Sequence, residues 1–322
     1  MPFAVLCREL GSLGLEDVPP QPLGNSAVRV EIRAAGINFP DILMCAGLYQ
    51  HKPPLPFTPG MEAAGVVTEI GRAVTDVAVG DKVIIHHRTG LYAAEAVVPP
   101  DSLLPLPKGF SFEEGASFLV ANLTAYHALT ERGALQRGET LLVHGAGGGV
   151  GLAAVELGKL LGARVIACAS SDDKLAVALA RGADHLINTR REAFAPRVKA
   201  LTGEEGADVI YDPVGGESFT QSFRCIAWGG RLLVIGFAGG TIPAVEANRI
   251  LIKGCAVIGV RAGEAGRRDP ARGAATLAAI QVMAAEGKLR PHISHRLPLA
   301  AFAEGMALLS ERKAIGRVVL VP

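Results

Sequence analysis

The residues with the clearest chemical meaning in this chain are the glycines between positions 145 and 151. Four of the five residues 145–149 are glycine, an apolar run (141–144) precedes them, and a helical apolar pattern (150–161) follows. Between a strand and a helix, glycines permit a tight turn and the close approach of a pyrophosphate to the helix N-terminus. The sequence therefore predicts a dinucleotide site formed by Ala146, Gly147, Gly148, Gly149, Val150 and Gly151. The alternative is a glycine-rich turn that binds no ligand.

The end of the next predicted strand, at residues 164–167, indicates which dinucleotide is bound. NAD sites usually place Asp or Glu about 20 residues after the glycines, where it binds the ribose 2′-hydroxyl. Here Ser170 and Ser171 follow the strand, and their hydroxyls can donate to a 2′-phosphate that a carboxylate would repel. Lys174 adds positive charge, unless it is a solvated helix lysine, and the acidic residues 172–173 are expected to cap a helix. We therefore predict NADPH rather than NADH.

The elements around these residues alternate between strand and helix through the middle of the chain. Further strands are predicted at 184–187, 209–211, 231–236 and 256–260, with helices between them, one of which is expected over 219–227. Repeated βα units of this length imply a doubly wound parallel sheet, with ligands beyond the carboxyl ends of its strands. Gly236 and Phe237 follow one such strand and are predicted to join the glycine turn in binding the cofactor.

The first 120 residues have a different pattern. Short strands are predicted at 28–33, 62–70 and 82–86, separated by Pro- and Gly-rich turns, before a helix over 112–133 that begins with a Ser111–Glu114 capping box. A helix (271–286) and a strand (317–321) at the end of the chain do not extend the βα pattern. We therefore predict a β-rich domain of residues 1–120 and 262–322, and a dinucleotide-binding domain of residues 121–261.

Composition excludes several classes of protein. Lys and Arg number 32 against 31 Asp and Glu, so no basic excess indicates a nucleic-acid partner. No apolar run approaches the ~18 residues of a membrane span. Five scattered cysteines, without a C-x-x-C pair, are typical of a reducing compartment, and we expect a cytoplasmic protein.

Nine ordered motifs resemble one branch of a known superfamily. They are AGINFPD (35–41), GLY (47–49), PGMEAAG (59–65), VGDKV (79–83), HGAGGGVG (144–151), SSDDK (170–174), GADH (182–185), YDPVG (211–215) and GR (316–317). Together they resemble the zinc-independent quinone oxidoreductases (zeta-crystallin-like) of the medium-chain dehydrogenase/reductase superfamily. The resemblance implies an α/β fold with a doubly wound parallel Rossmann sheet and a β-rich GroES-like catalytic domain. It also implies a homodimer, in which residues 257–260 pair across a two-fold axis.

The same resemblance implies roles for individual residues. Zinc-dependent relatives bind their metal at the positions of Asn38 and Met61, and an amide and a thioether do not make such a site, so no metal is expected. Asn38 would bond the substrate carbonyl or the nicotinamide ribose, unless it is only a turn residue. Tyr49 matches a substrate-site tyrosine that donates a proton in enoyl-thioester reductases. Thr124 would contact the nicotinamide end, or else bond its own helix backbone, and Arg312 would bind the 2′-phosphate.

Chemistry without a Lewis acid favours a conjugated hydride acceptor, because a π system spreads the incoming charge. The predicted function is NADPH-dependent reduction of quinones or other activated alkenes, such as enones. Two alternatives remain: an enoyl-thioester or 2-alkenal reductase, and an NADPH-binding, crystallin-like protein without turnover. Arg261, Arg267 and Arg268 would suit an acidic or CoA-bearing substrate if their segment covers the site, and otherwise form a solvated loop.

Overall fold

The computed structural model describes all 322 residues, in two compact units. The first unit comprises Met1–Val120 and Pro291–Pro322, and the second comprises Ala121–Arg290. The assignment of residues 262–290 to the β-rich domain was therefore wrong. Ile280 and Ala284 are buried in this segment and Met283 packs against the second unit's core, so an alanine-rich helix without a following strand still belongs to that unit.

The chain forms fifteen β-strands and eleven α-helices. The strands are β1 (Phe3–Glu9), β2 (Ser12–Asp17), β3 (Val28–Gly36), β4 (Glu62–Ile70), β5 (Lys82–His86), β6 (Glu95–Val98), β7 (Leu103–Pro105), β8 (Thr140–Val143), β9 (Arg164–Ala169), β10 (His185–Asn188), β11 (Ala207–Asp212), β12 (Ile226–Val234), β13 (Ala256–Gly259), β14 (Ile293–Pro298) and β15 (Arg317–Val321). The helices are α1 (Phe39–Cys45), α2 (Phe112–Gly115), α3 (Leu119–Tyr126), α4 (Gly149–Leu160), α5 (Asp172–Ala180), α6 (Phe194–Leu201), α7 (Gly216–Ser222), α8 (Ala247–Lys253), α9 (Ala262–Arg268), α10 (Pro270–Ala285) and α11 (Phe302–Ser310). A π-helix spans His127–Arg132, and 3-10 turns span Pro100–Ser102 and Leu299–Ala301.

The first unit is built on β-sheet. Seven strands form a sheet in which β14, β15, β3, β4, β5 and β7 are neighbours in that order and β6 also pairs with β3, while β1 and β2 form a separate hairpin. Alternate residues of β3, among them Val28, Val30 and Ile32, are buried, as expected when one face of an antiparallel sheet covers a core. The expectation of a β-rich domain for this part of the chain is confirmed.

The second unit contains one six-stranded parallel sheet in the order β10-β9-β8-β11-β12-β13. In chain order this is 3-2-1-4-5-6, the doubly wound arrangement of dinucleotide-binding folds. Leu141 and Val143 of β8 face one core cluster while Leu142 faces another, so helices cover both faces of the sheet. The predicted Rossmann architecture is confirmed.

The predicted lengths of two helices were wrong. The Ser111–Glu114 capping box is present, with Ser111 Oγ accepting from the Glu114 N–H at 3.2 Å, but the helix expected over 112–133 is divided into α2, α3 and the π-helix. The helix expected over 219–227 ends at Ser222, because Ile226 begins β12 and pairs with Ala207 of β11. Apolar residues continue at helical spacing through both breaks, so periodicity alone does not show them.

None of the helices combines the length and the apolar character needed to cross a membrane.

Candidate functional site

The turn between β8 and α4 is shaped by its glycines. Gly145 has φ +58°, a conformation that glycine adopts without strain, and a Cβ on Gly151 would collide with the carbonyl oxygen of Gly145. Gly148 is the N-cap of α4 and its own N–H bonds the Gly145 carbonyl oxygen at 2.9 Å. The turn is thus compact, and α4 begins directly against it.

The N-terminus of α4 fits an anionic group. The helix has twelve residues, and the N–H groups of Gly149, Val150 and Gly151, in its first turn, have no carbonyl partner inside the helix. Such N–H groups, together with the helix dipole, bind phosphates. Ala146 differs from its neighbours: its methyl group is fully buried in the core and its N–H bonds the Cys168 carbonyl oxygen at 2.9 Å. Its contribution is to fix the turn against β9.

Lys174 passes directly over the glycine turn. A Cβ added at Gly147 would lie 2.6 Å from the Lys174 Cβ and 2.9 Å from its Cδ. The absence of a side chain at Gly147 therefore gives the lysine its path across the turn. This contact brings the candidate pyrophosphate residues and the candidate 2′-phosphate residues together on one surface of the second unit.

Ser170 and Ser171 lie at the tip of β9, both half-buried. Ser171 is the N-cap of α5, and its hydroxyl oxygen accepts from the Lys174 N–H at 3.4 Å, which leaves its hydroxyl proton available to a ligand. The expectation that residues 172–173 cap this helix was wrong, since they occupy its first turn. A serine caps equally well, and carboxylates in the first turn still stabilise the helix dipole.

The loops that follow β11 and β12 lie against each other. The Ala238 N–H bonds the Pro213 carbonyl oxygen at 3.0 Å, and a Cβ on Gly215 would approach the Phe237 ring to 2.9 Å. A Cβ on Gly145 would in turn approach Val214 to 3.1 Å. Gly236 and Phe237 are thus brought to the same edge of the sheet as the glycine turn, where doubly wound folds bind ligands. Thr124 is half-buried on α3, and its contact with nicotinamide stays a prediction.

In the first unit, Asn38 belongs to a buried polar network. Its Nδ2 donates to Glu62 Oε1 at 3.1 Å, and its Oδ1 accepts from Arg317 Nη1 at 2.9 Å. Arg317 also donates to Glu62, whose other oxygen accepts the Val120 N–H at 2.9 Å. Asn38 is only 2% exposed. The network holds its amide in one orientation, and direct contact with a substrate stays a prediction.

Burial changes the acid–base properties of this part of the first unit. It lowers the pKa of the Arg317 guanidinium to about 10, although the nearby Asp41 acts in the opposite direction. Burial likewise raises the pKa of the Asp41 carboxyl to about 6, against the hydrogen bonds from the Asn38 N–H and the Tyr92 hydroxyl, both 2.9 Å long. Arg317 remains a cation at neutral pH and compensates the charge of Glu62.

These residues do not fit a catalytic zinc ion. The amide of Asn38 already bonds Glu62 and Arg317, and Met61 packs against the apolar cluster that contains Cys45 and Phe57. No cluster of three or more His, Cys, Asp or Glu side chains is arranged to hold a metal. A catalytic zinc needs three good nitrogen, oxygen or sulfur ligands, and these residues do not supply them.

The remaining candidates are placed as follows. Tyr49 is half-buried in the turn after α1 and packs against the cluster that contains Met44 and Phe57. Arg312 lies in the first unit, in the turn after α11, with φ +58°, and its role at the 2′-phosphate stays a prediction. Arg267 and Arg268 form ion pairs with Glu264 on their own helix, at 2.9 Å each, as solvated surface residues do.

Sequence reasoning missed Asp41, Glu62, Tyr92 and Arg317. A signal was nevertheless present, because Glu62 stands before a run of small apolar residues at the start of a strand, and Arg317 stands before another apolar strand. Charged residues at such positions are buried only when they are paired.

Two family models match this chain. The alcohol dehydrogenase GroES-like domain matches residues 24–108, and the zinc-binding dehydrogenase domain matches residues 149–279. The two halves of a medium-chain dehydrogenase/reductase are therefore both present.

Individual relatives indicate which branch of this superfamily the chain belongs to. A quinone oxidoreductase-like protein 2 homolog of Nematostella vectensis is 40% identical over 98% of this chain and 88% of its own length. The solved quinone oxidoreductase of Pseudomonas syringae has a TM-score of 0.91 at 32% identity, with all of both chains covered. That of Escherichia coli, solved in complex with NADPH, has a TM-score of 0.91 at 28% identity, covering 99% of this chain and 100% of its own. The chain belongs to the zinc-independent quinone oxidoreductase branch of this superfamily of oxidoreductases.

Proposed function

We propose that this protein is an NADPH-dependent reductase that transfers hydride to quinones or other activated alkenes. The observation that carries the proposal is the surface shared by the glycine turn, Ser170, Ser171 and Lys174, because it brings two candidate sites for phosphate groups together in one unit. The NADPH complex of the E. coli quinone oxidoreductase, a chain of the same fold, supports the choice of cofactor.

The residues of the second unit would hold NADPH by its charged groups. The first-turn N–H groups of α4 bind the pyrophosphate, while the hydroxyls at the tip of β9 donate to the 2′-phosphate and Lys174 supplies a positive charge. Gly236, Phe237 and Thr124 complete the proposed cofactor site. When bound, NADPH supplies the hydride.

In the first unit, we propose that the Tyr49 hydroxyl donates the proton that completes the reduction after hydride transfer. Its hydroxyl is a hydrogen-bond donor on a half-buried side chain, and the side chain packs against the cluster that contains Met44 and Phe57. Asn38 is held by Glu62 and Arg317, so any bond it makes to the substrate carbonyl is made from a fixed position. A conjugated acceptor is favoured because Asn38 and Met61 do not fit a metal ion, and a π system spreads the incoming charge without a Lewis acid.

The test is oxidation of NADPH, followed by its absorbance, with three acceptors: a naphthoquinone or phenanthrenequinone, a 2-alkenal and crotonyl-CoA. Calorimetry with NADPH and NADH runs beside it. Turnover with the quinone supports the proposal, and turnover with only the enal or the thioester assigns the site to the alternative reductases. NADPH binding without oxidation of any acceptor would refute catalysis and leave a binding protein.

A further inference from the structure

The acidic residue that follows Ser171 has its charge compensated by the loop after β10. Asp172 Oδ1 accepts from Asn188 Nδ2 at 2.7 Å, and its Oδ2 lies 2.6 Å from Arg191 Nη2. Both oxygens of this carboxylate are therefore turned toward residues 188–191. This arrangement answers one part of the main objection to a 2′-phosphate at this position, because it compensates Asp172, the member of the acidic pair that directly follows the serines.

The loop that holds Asp172 is itself well ordered by hydrogen bonds. Asn188 is the last residue of β10 and lies opposite Ala169 of β9 in the sheet. Its side-chain oxygen accepts the Arg190 N–H at 3.1 Å, and its carbonyl oxygen accepts the Arg191 N–H at 2.9 Å. Thr189 bonds the Ala169 carbonyl oxygen through both its N–H and its hydroxyl, at 2.9 and 3.2 Å. The loop is therefore fixed beside the tip of β9.

The Asp172–Arg191 pair adds little to stability, because the two side chains are 57% and 71% exposed and water screens their attraction. Its effect on a bound anion is different. A phosphate monoester carries close to two negative charges at neutral pH, and an uncompensated carboxylate within a Debye length of about 8–10 Å would repel it. A residue that compensates this carboxylate therefore acts on the choice between phosphorylated and unphosphorylated ribose.

We propose that Arg191 is a specificity-determining residue for the 2′-phosphate. It acts through Asp172: together with Asn188 it holds this carboxylate toward the β10 loop and cancels its charge. The proposal rests on the NADPH-dependent function proposed above. It assigns a role to a residue of the β10–α6 loop that lies outside the glycine turn and the serine pair.

The experiment measures binding of adenosine 2′,5′-bisphosphate and of 5′-AMP by calorimetry, since these ligands differ only in the 2′-phosphate. We expect Arg191→Ala to weaken the bisphosphate roughly three- to tenfold at low ionic strength, and far less in 0.5 M salt. Binding of 5′-AMP should not change. Arg191→Lys should retain most of the affinity, and Asp172→Asn should restore it in the Arg191→Ala background.

The matched control is Arg197→Ala, which removes the same charge from an exposed position on α6 of the same unit. Equal effects of Arg197→Ala and Arg191→Ala would overturn the assignment, since only general charge would then matter. Equal weakening of 5′-AMP, or no restoration by Asp172→Asn, would also overturn it. If the unmodified protein binds the two ligands equally, the NADPH preference itself is refuted, and the role of Arg191 with it.

Discussion

The buried carboxyl of Asp41 allows a quantitative test of how burial in the first unit changes the ionisation of a carboxyl and the stability of the fold. Its side chain has no exposed surface, and Oδ2 accepts both the Asn38 N–H and the Tyr92 hydroxyl. Burial nevertheless outweighs these bonds and the positive charge of Arg317, and it raises the pKa from 3.8 to about 6. The folded protein therefore holds this proton more tightly than the unfolded chain does.

The difference in the pKa of Asp41 between the folded and unfolded states gives the size and the sign of its effect on stability. A pKa rise of about two units corresponds to roughly 3 kcal/mol. Because the folded-state pKa is the raised one, Asp41 contributes this stability fully below pH 3.8 and loses it as the pH rises through about 6. Asp41→Asn keeps an oxygen that can accept the two hydrogen bonds but cannot ionise, so this part of the pH dependence should disappear.

The assay is urea unfolding of both proteins at pH 4.5 and pH 7.5. The carboxylates of Glu16, Glu139 and Glu264, whose pKa values are lowered by partner arginines, change stability in the opposite direction, but they are common to both proteins and cancel in the difference. We expect the free energy of unfolding of Asp41→Asn, relative to the unmodified protein, to be higher at pH 7.5 than at pH 4.5 by roughly 2 kcal/mol, since part of the full effect is already lost at pH 4.5.

The control for Asp41→Asn is Asp101→Asn, at an exposed position, which should show no such difference between the two pH values. Parallel pH dependences of the Asp41→Asn and unmodified proteins would refute the reasoning, because they would mean that Asp41 ionises as easily inside the fold as in water.

Further expectations concern the cofactor, the proton donor, the core and the assembly. Ser170→Asp should weaken NADPH far more than NADH in calorimetry, because it places a carboxylate beside the 2′-phosphate; equal losses would contradict the cofactor assignment. Tyr49→Phe should lower kcat with enoyl substrates by roughly 10²-fold or more if the hydroxyl gives the proton, and unchanged kinetics would remove that role. The Tyr211 hydroxyl is fully buried without a hydrogen-bond partner, so Tyr211→Phe should leave the free energy of unfolding equal or higher by about 1 kcal/mol, which a loss in urea unfolding would contradict. The strand β13 lies at the edge of its sheet, and we expect it to pair with a second copy, so a monomer in light scattering would argue against the predicted dimer.

Much of the second unit could be predicted from sequence because its signals are local. The glycine turn, the apolar strands and the serine pair each lie within a few adjacent residues, and the parallel order of the sheet follows from the repetition of βα units. The N-cap of α5 was assigned to the wrong residue, since Ser171 and Asp172 both suit that position and only backbone geometry separates them.

The buried network of the first unit could not be predicted, because its members are far apart in the chain. Glu62 and Arg317 are separated by 255 positions and meet only through the pairing of β3 with both β4 and β15. Sequence patterns also give no measure of side-chain burial around a polar group. The amide of Asn38 therefore looked available for substrate, whereas the structure shows it bonded on both sides.

In the proposed cofactor site, the contact between Gly147 and the methylene groups of Lys174 links the affinity for the dinucleotide to the choice between NADPH and NADH. A side chain at position 147 would collide with the methylene groups of Lys174 and displace this lysine. Affinity for the dinucleotide and discrimination between its two forms would then change in a single step. Substitutions at Gly147 are therefore limited both by the shape of the turn and by the position of Lys174. A variant that changes the cofactor preference at Lys174 has to keep a glycine at position 147 or move both side chains together.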